Sequence, residues 1–276
     1  MSEIRQPVFR GTFYPASAKE LADTVKSHID AANVRGVTRA CAYIAPHAGY
    51  VYSGRTAGFT YKAMSVGSKA KAADTIVIIG PNHTGLGKNI SVSMADWSTP
   101  LGIARNDIEL STKILMINRS TASDEHAHSD EHSIEVQLPY IKQIFPEKRF
   151  AFVCMMDQSA ESANALAESI VDASEELGRK SVVLASSDMN HHEPESITKE
   201  KDMKLISALE RIDAQGFGDL VKSLPSSTCG PGPIVAAMRF GMLTGTKRAK
   251  LLDYSTSALA GSDTEHVVGY SSVAIF

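Results

Sequence analysis

Thr75-Ile-Val-Ile-Ile79-Gly-Pro-Asn-His83 decides how the rest of this chain is read: a short apolar run stops at glycine and proline and delivers a histidine. A run apolar at every position, and not only at every second one, predicts a strand covered on both faces. The same grammar returns at Ala40-Cys-Ala-Tyr-Ile-Ala45, followed by Pro46-His47-Ala-Gly49, and at Ser181-Val-Val-Leu-Ala185, followed by Ser186-Ser-Asp188-Met-Asn-His191-His192. Three buried strands thus each lead to a histidine.

Helical patterns lie between the strands. Ser17-Ala-Lys-Glu20 is a capping box, and Leu21, Val25 and Ile29 follow at helical spacing, which predicts a helix over about 17–32. Further helices are expected over 54–66, 107–118 and 159–177, with Leu166, Ile170, Val171 and Leu177 on one side of the last. Phe150-Ala-Phe-Val-Cys-Met155, Lys250-Leu-Leu-Asp-Tyr254 and the run from Val267 to Ile275 read as additional strands. Strands that alternate with helices predict an α/β fold, a mixed β-sheet core flanked by helices. With no repeat or Pro/Ser-rich linker in sight, one domain over 1–276 is expected.

Composition narrows the function. In 276 residues, 43% are hydrophobic and 21% charged, enough apolar material for a large core without disulfide staples. Lys and Arg number 28 against 31 Asp and Glu, a net charge of −3, so no nucleic-acid or anionic-membrane partner is expected. The start, Met1-Ser-Glu-Ile-Arg5, has charges where a signal peptide needs an apolar stretch, and no window approaches the roughly 18 apolar residues of a membrane span. A soluble, cytoplasmic protein is the expectation. The three cysteines, Cys41, Cys154 and Cys229, are too scattered for a disulfide framework or a Cys-x-x-Cys zinc site.

Ligands of open α/β sheets bind beyond the carboxyl ends of the strands, where strand grammar puts His47, His83, Asp188 and His191. Four metal-capable or proton-transferring groups after three strands point to one shared site. Cys229 precedes Gly230-Pro-Gly-Pro233 and a long apolar helix, so it sits at a helix N-terminus that favours thiolate. Cys41 and Cys154, inside apolar runs, read as small hydrophobes. In Ser123-Asp-Glu-His126-Ala-His128-Ser-Asp-Glu-His132, the histidines at 126 and 128 read as solvated. His132 opens a helical pattern in which Glu131, His132 and Glu135 share a first turn. Trp97 is open between core and pocket wall, and His28 and His266 have no evident partner.

Taken together, Ile44-Ala-Pro-His47-Ala-Gly-Tyr50, Gly80-Pro-Asn-His83, Thr99-Pro-Leu-Gly102, Asp130-Glu-His132-Ser-Ile-Glu135, Ser186-Ser-Asp188 with His191, and Cys229-Gly resemble the Memo family. That family is named after a vertebrate mediator of cell motility, and its fold resembles the class III extradiol (LigB-like) dioxygenases, which hold Fe(II) with two histidines and a glutamate. The resemblance implies His47 and His83 as metal ligands, Cys229 in place of the carboxylate, and His191 as acid/base with Asp188 orienting it. It implies a substrate pocket shaped by His132, Trp97 and Tyr50. Its prokaryotic members are often found beside AMMECR-type and radical-SAM proteins, which are the partners it suggests.

Two imidazoles and a thiolate suit Fe(II), Cu(I) or Zn(II). The first function expected is therefore an iron- or copper-dependent redox activity of dioxygenase ancestry. A second is a binding module whose pocket takes a peptide or small metabolite. A third is metal-free thiol catalysis, with Cys229 as nucleophile, His191 or His47 as base and Asp188 as orienter.

Overall fold

The computed structural model describes residues 3–276. In chain order the strands are β1 Ile4–Arg5, β2 Ala42–Ala45, β3 Thr75–Pro81, β4 Ile90–Ser93, β5 Asp96–Thr99, β6 Gly102–Asn106, β7 Thr121–Ser123, β8 Arg149–Met155, β9 Ser181–Ser186, β10 His191–Glu193, β11 Ala249–Thr256 and β12 Val267–Ile275. The helices are α1 Ala18–Ala31, α2 Tyr50–Val66, α3 Ser68–Ala72, α4 Ile108–Ile117, α5 Leu138–Ile144, α6 Ala160–Glu176, α7 Glu195–Glu210, α8 Ala214–Ser223 and α9 Pro231–Leu243.

The centre of the sheet runs β8-β3-β9-β2, all parallel, and β12 adds antiparallel to β2. Every residue of β2 and β3 is buried, as continuous apolar runs require, and successive side chains go to opposite cores. Ile76, Ile78, Tyr43, Leu184 and Phe152 pack against α1, α2 and α5. Val77, Ile79, Ile44, Val183 and Val153 pack against α4, α6 and α9. Each fully buried Ile or Leu contributes about 1.5–3 kcal/mol. Since a one-residue slip would exchange the two faces of a strand, this double burial fixes the register.

Connections from β2 to β3 through α2 and from β8 to β9 through α6 step across the sheet in opposite directions, with their helices on opposite faces. That is the arrangement right-handed crossovers demand. Beyond β3 the chain turns toward β8, where β4 pairs, and beyond β9 it turns toward β12, where β10 pairs. The crevice between the carboxyl ends of β3 and β9 is left open for a site.

The expected helices form: Ser17 Oγ accepts the Glu20 N–H as the capping box requires, and Asp107 and Ser159 also cap α4 and α6. α2 starts at Tyr50, four residues before the expected 54, because Gly49 makes no side-chain cap that could mark its start.

Three expectations are corrected. Glu131 and His132 lie in irregular chain before the turn at 133–134 and the 3-10 segment Glu135–Gln137, not on a helical first turn with Glu135. The two carboxylates are drawn apart: Glu131 accepts N–H groups of His83 and Ser133, whereas Glu135 accepts from Arg5, Val8, Phe9 and Tyr14. His128 is fully buried rather than solvated, its ring edge-on to Trp97 at 5.5 Å. Trp97 is itself core, tilted against Phe152 at 4.7 Å between centroids and under the Arg5 guanidinium, with its indole N–H donating to Ser93. No helix among the described residues is long and apolar enough to cross a membrane.

Burial lowers the His128 pKa to about 4, so the folded chain resists protonation that the unfolded chain accepts near 6.5. Between those values the unfolded state binds more protons, and stability falls as the pH is lowered. The full shift corresponds to about 3 kcal/mol. Urea unfolding of the wild type between pH 7 and 4 will show a steeper loss than that of His128→Phe, which removes this term while keeping a ring against Trp97.

Candidate metal centre

The register at the carboxyl ends builds the site. Ala45 of β2 pairs with Ser186 of β9, and the Ser187 N–H donates to Ala45 O, so His47 and Asp188 emerge side by side. Ile79 of β3 pairs with Ala185 on the other side of β9, which brings His83 to the same rim. The centroids of His47 and His83 are 5.1 Å apart, and that of His132 is 5.3 Å from His47 and 4.5 Å from His83. Cys229 Sγ is 3.1 Å from His47 Nε2. One donor atom from each of His47, His83 and Cys229 lies within 4.8 Å of the others, and a second group, His83, Glu131 and His132, meets the same distance.

Each ligand candidate is fixed from behind. His47 Nδ1 is 2.8 Å from Ser186 Oγ, and His83 Nδ1 is 2.9 Å from Glu131 Oε1. A partner on the rear nitrogen is what orients a metal-binding imidazole. Cys229 is held by its backbone: Gln158 donates to Cys229 O and accepts the Gly232 N–H, and the Gly230 N–H donates to Ser187 Oγ. Gly230 is needed here, because a Cβ would lie 2.7 Å from Ser186 O and 2.8 Å from Ser187 Cβ.

Electrostatically the pocket favours neutral imidazoles. Burial, then His132, His83 and His191, push His47 well below its usual value, and burial brings His132 and His191 to about 4. Burial raises Glu131, but hydrogen bonds and charge from His83 outweigh it and hold the carboxyl at about 2. Burial lifts Asp188 to about 7 against the N–H groups of His47 and Ala48. Neutral nitrogens with free lone pairs are the metal-binding form of histidine.

The thiolate expectation is corrected. Burial, and then the Asp188 carboxylate, push the Cys229 thiol well above the usual cysteine range. Two N–H groups at the start of α9 are already taken, that of Gly230 by Ser187 and that of Gly232 by Gln158, leaving the Asp188 N–H as a donor to the sulfur at 3.1 Å.

Asp188 does not reach toward His191. Its Oδ1 accepts the His47 N–H at 2.7 Å, so it braces the β2 loop instead of orienting the acid/base candidate. His191 is positioned through its backbone, which exchanges hydrogen bonds with Ser227, and its Nε2 is buried without a hydrogen-bond partner. Tyr50 is buried too, its hydroxyl donating to Val136 O and its ring between Tyr14 and Tyr140, so its polar atom is taken up within the core. His28 finds a partner in the Tyr140 hydroxyl at 2.6 Å.

Phe9 and Phe13, which sequence reasoning did not single out, pack at 5.5 and 4.8 Å from the His132 ring and form an aromatic wall. They are carried there by a segment whose N–H groups at Val8 and Phe9 donate to the buried Glu135. A separate cavity of about 510 Å³, lined by Cys41, Ser181 and Phe240, lies at the amino ends of β2 and β9, away from these histidines.

Fold and site thus define an α/β protein with a two-histidine, one-cysteine cluster at the carboxyl ends of its central parallel strands. Residues 5–274 match the Memo-like protein family, and the chain belongs to that family. It is 39% identical to a MEMO1 family protein of Ignicoccus hospitalis and 40% identical to one of Archaeoglobus fulgidus, with 98% of both chains covered in each case. A MEMO1 family protein of Methanocaldococcus jannaschii is 36% identical over the whole of both chains. An uncharacterised Escherichia coli K12 protein of known crystal structure superposes with a TM-score of 0.54 at 12% identity, covering 84% of this chain and 99% of that one, which shows a shared fold.

Gly230→Ala will lower stability by about 1–3 kcal/mol, the usual effect of overpacking, and weaken metal uptake by displacing Cys229. Gly218→Ala, where a Cβ meets open space on α8, will be neutral or mildly stabilising. Denaturant unfolding and metal titration of both variants check the pair.

Proposed function

We propose that the chain is a metal-dependent redox protein, with Fe(II) or copper held by His47, His83 and Cys229. The observation that carries this reading is the convergence of two rear-anchored imidazoles and a thiol within 4.8 Å of one another. The donor set suits softer divalent ions and Cu(I), and Zn(II) fits the same ligands. When bound, iron or copper supplies one-electron and dioxygen chemistry.

The chain's own residues do the rest. His191 presents a buried, unpartnered Nε2 beside the cluster and serves as proton donor or acceptor to a bound substrate. Asp188 and Glu131 keep His47 and His83 in place. Phe9, Phe13 and His132 form an aromatic wall that excludes water from one side, while the exposed His83 edge leaves an entrance for a small molecule or a peptide end. AMMECR-type and radical-SAM proteins are proposed partners by family association, and the cytoplasm is the proposed compartment.

The 3.1 Å contact between Cys229 Sγ and His47 Nε2 favours one further reading, a metal-free thiol dyad. The raised thiol pKa weighs against it, because a protonated thiol is a poor nucleophile.

Anaerobically reconstituted protein will bind one Fe(II) or Cu(I) per chain at this cluster, and His47→Ala and Cys229→Ala will each lose it. Because Cys229 gives up its proton on ligation, affinity will rise about tenfold per pH unit while the thiol remains protonated. Metal analysis and titrations between pH 6 and 8 check this. Uptake that is independent of both residues contradicts the centre. Alkylation of Cys229 near neutral pH at the rate of an activated thiolate, with turnover unaffected by chelators, favours the dyad.

A further inference from the structure

We propose that Ser186, locked by Gln137 and Tyr61, is a positioning residue that fixes the tautomer of His47, with the proton on Nδ1 and the Nε2 lone pair facing Cys229. The consequence for metal binding rests on the metal-centre reading above, whereas the tautomer itself does not.

Counting donors and acceptors leads to this assignment. Ser186 Oγ meets three groups: Ser133 O at 2.6 Å, Gln137 Nε2 at 2.7 Å and His47 Nδ1 at 2.8 Å. A hydroxyl has one hydrogen and two lone pairs. Ser133 O is a carbonyl and only accepts, so it takes the hydrogen. The orientation of the Gln137 amide is set independently, because the same nitrogen stands 3.0 Å from Pro46 O, another pure acceptor, while Oε1 accepts the Tyr61 hydroxyl. Gln137 therefore donates to Ser186 Oγ.

With its hydrogen given to Ser133 and one lone pair filled by Gln137, Ser186 offers His47 a lone pair and nothing else. Nδ1 must donate. His47 is only 2% exposed and neither ring nitrogen meets a carboxylate, so the ring is neutral and its single N–H is spoken for. Nε2 is left bare, 3.1 Å from Cys229 Sγ. That lone pair is the nearer of two acceptors for the Cys229 S–H, the other being Asp188 O at 3.5 Å, and a cation that takes the place of the proton meets a nitrogen and a sulfur already in contact.

Ser186 and Tyr61 are fully buried and Gln137 is 1% exposed, so water does not compete for these bonds. Pro46 O, Ser133 O and Ser186 belong to three separate segments, and the network ties all three to one imidazole. His83 is held differently, by a carboxylate, which makes it the more electron-rich of the two ligands. The pairing of one hydroxyl-backed and one carboxylate-backed imidazole sets how much charge the cluster donates.

The test is long-range ¹H–¹⁵N correlation of the histidine rings in metal-free protein, with His47 assigned by comparison with His47→Asn. Wild type will show a protonated Nδ1 and a bare Nε2. Ser186→Ala will lose that signature, giving a mixture or an Nε2–H ring, and Ser186→Thr, which keeps the hydroxyl, will restore it. In parallel, Zn(II) affinity by chelator competition will fall about 10- to 100-fold in Ser186→Ala and recover in Ser186→Thr. A proton found on Nε2 in wild type overturns the assignment without any variant. An unchanged tautomer in Ser186→Ala, or a changed tautomer with Zn(II) affinity within twofold of wild type, overturns the positioning role. A chain that shows the expected tautomers but binds no Zn(II) keeps the assignment and loses the metal-centre reading.

Discussion

Because β9 is laddered between β2 and β3, with Ala45 opposite Ser186 and Ile79 opposite Ala185, three chain segments leave the sheet at one level and in one crevice. Counted from the shared rung Ile44–Ala185–Ile79, His47 and Asp188 follow after three residues and His83 after four, so short loops carry them and little freedom remains. Packing on both faces of the sheet is what holds this register, since any slip turns apolar side chains to the wrong core. The geometry of the cluster is in this sense a by-product of how the core is filled.

Two buried carboxylates then divide the remaining work. A desolvated carboxylate is costly unless donors saturate it. Glu135 accepts four hydrogen bonds from the segment that includes Arg5 and Tyr14, which lays Phe9 and Phe13 over His132. Glu131 accepts two from His83 and one from Ser133, which turns the His83 ring toward the cluster. Glu131 therefore stands behind His83, and the sulfur of Cys229 completes the cluster with His47. For this protein of the Memo-like family, whose fold is shared with the Escherichia coli structure, the proposed donor set of two histidines and a cysteine is softer than two histidines and a carboxylate.

Much of this was legible in the chain itself. Short apolar runs located β2, β3 and β9, the capping box at Ser17 located α1, and helical apolar spacing located α4 and α6, because these are local signals: burial on two faces, burial on one face, and side-chain bonds to free N–H groups. The motifs also marked His47, His83 and Cys229, which the fold brings together. The early start of α2 escaped notice because Gly49 leaves no capping signal.

What the sequence determined by itself was the set of strands, their termination on histidines, and the types of donor available. What only the tertiary structure decided was which polar group serves which. Trp97, His128 and Tyr50 went to the core, Asp188 to the His47 backbone and Ser186 to the His47 ring. The reason is that a buried donor or acceptor must be satisfied by whatever lies within 3 Å, and those neighbours come from distant segments such as 46, 133 and 186. Spacing along the chain carries no record of them.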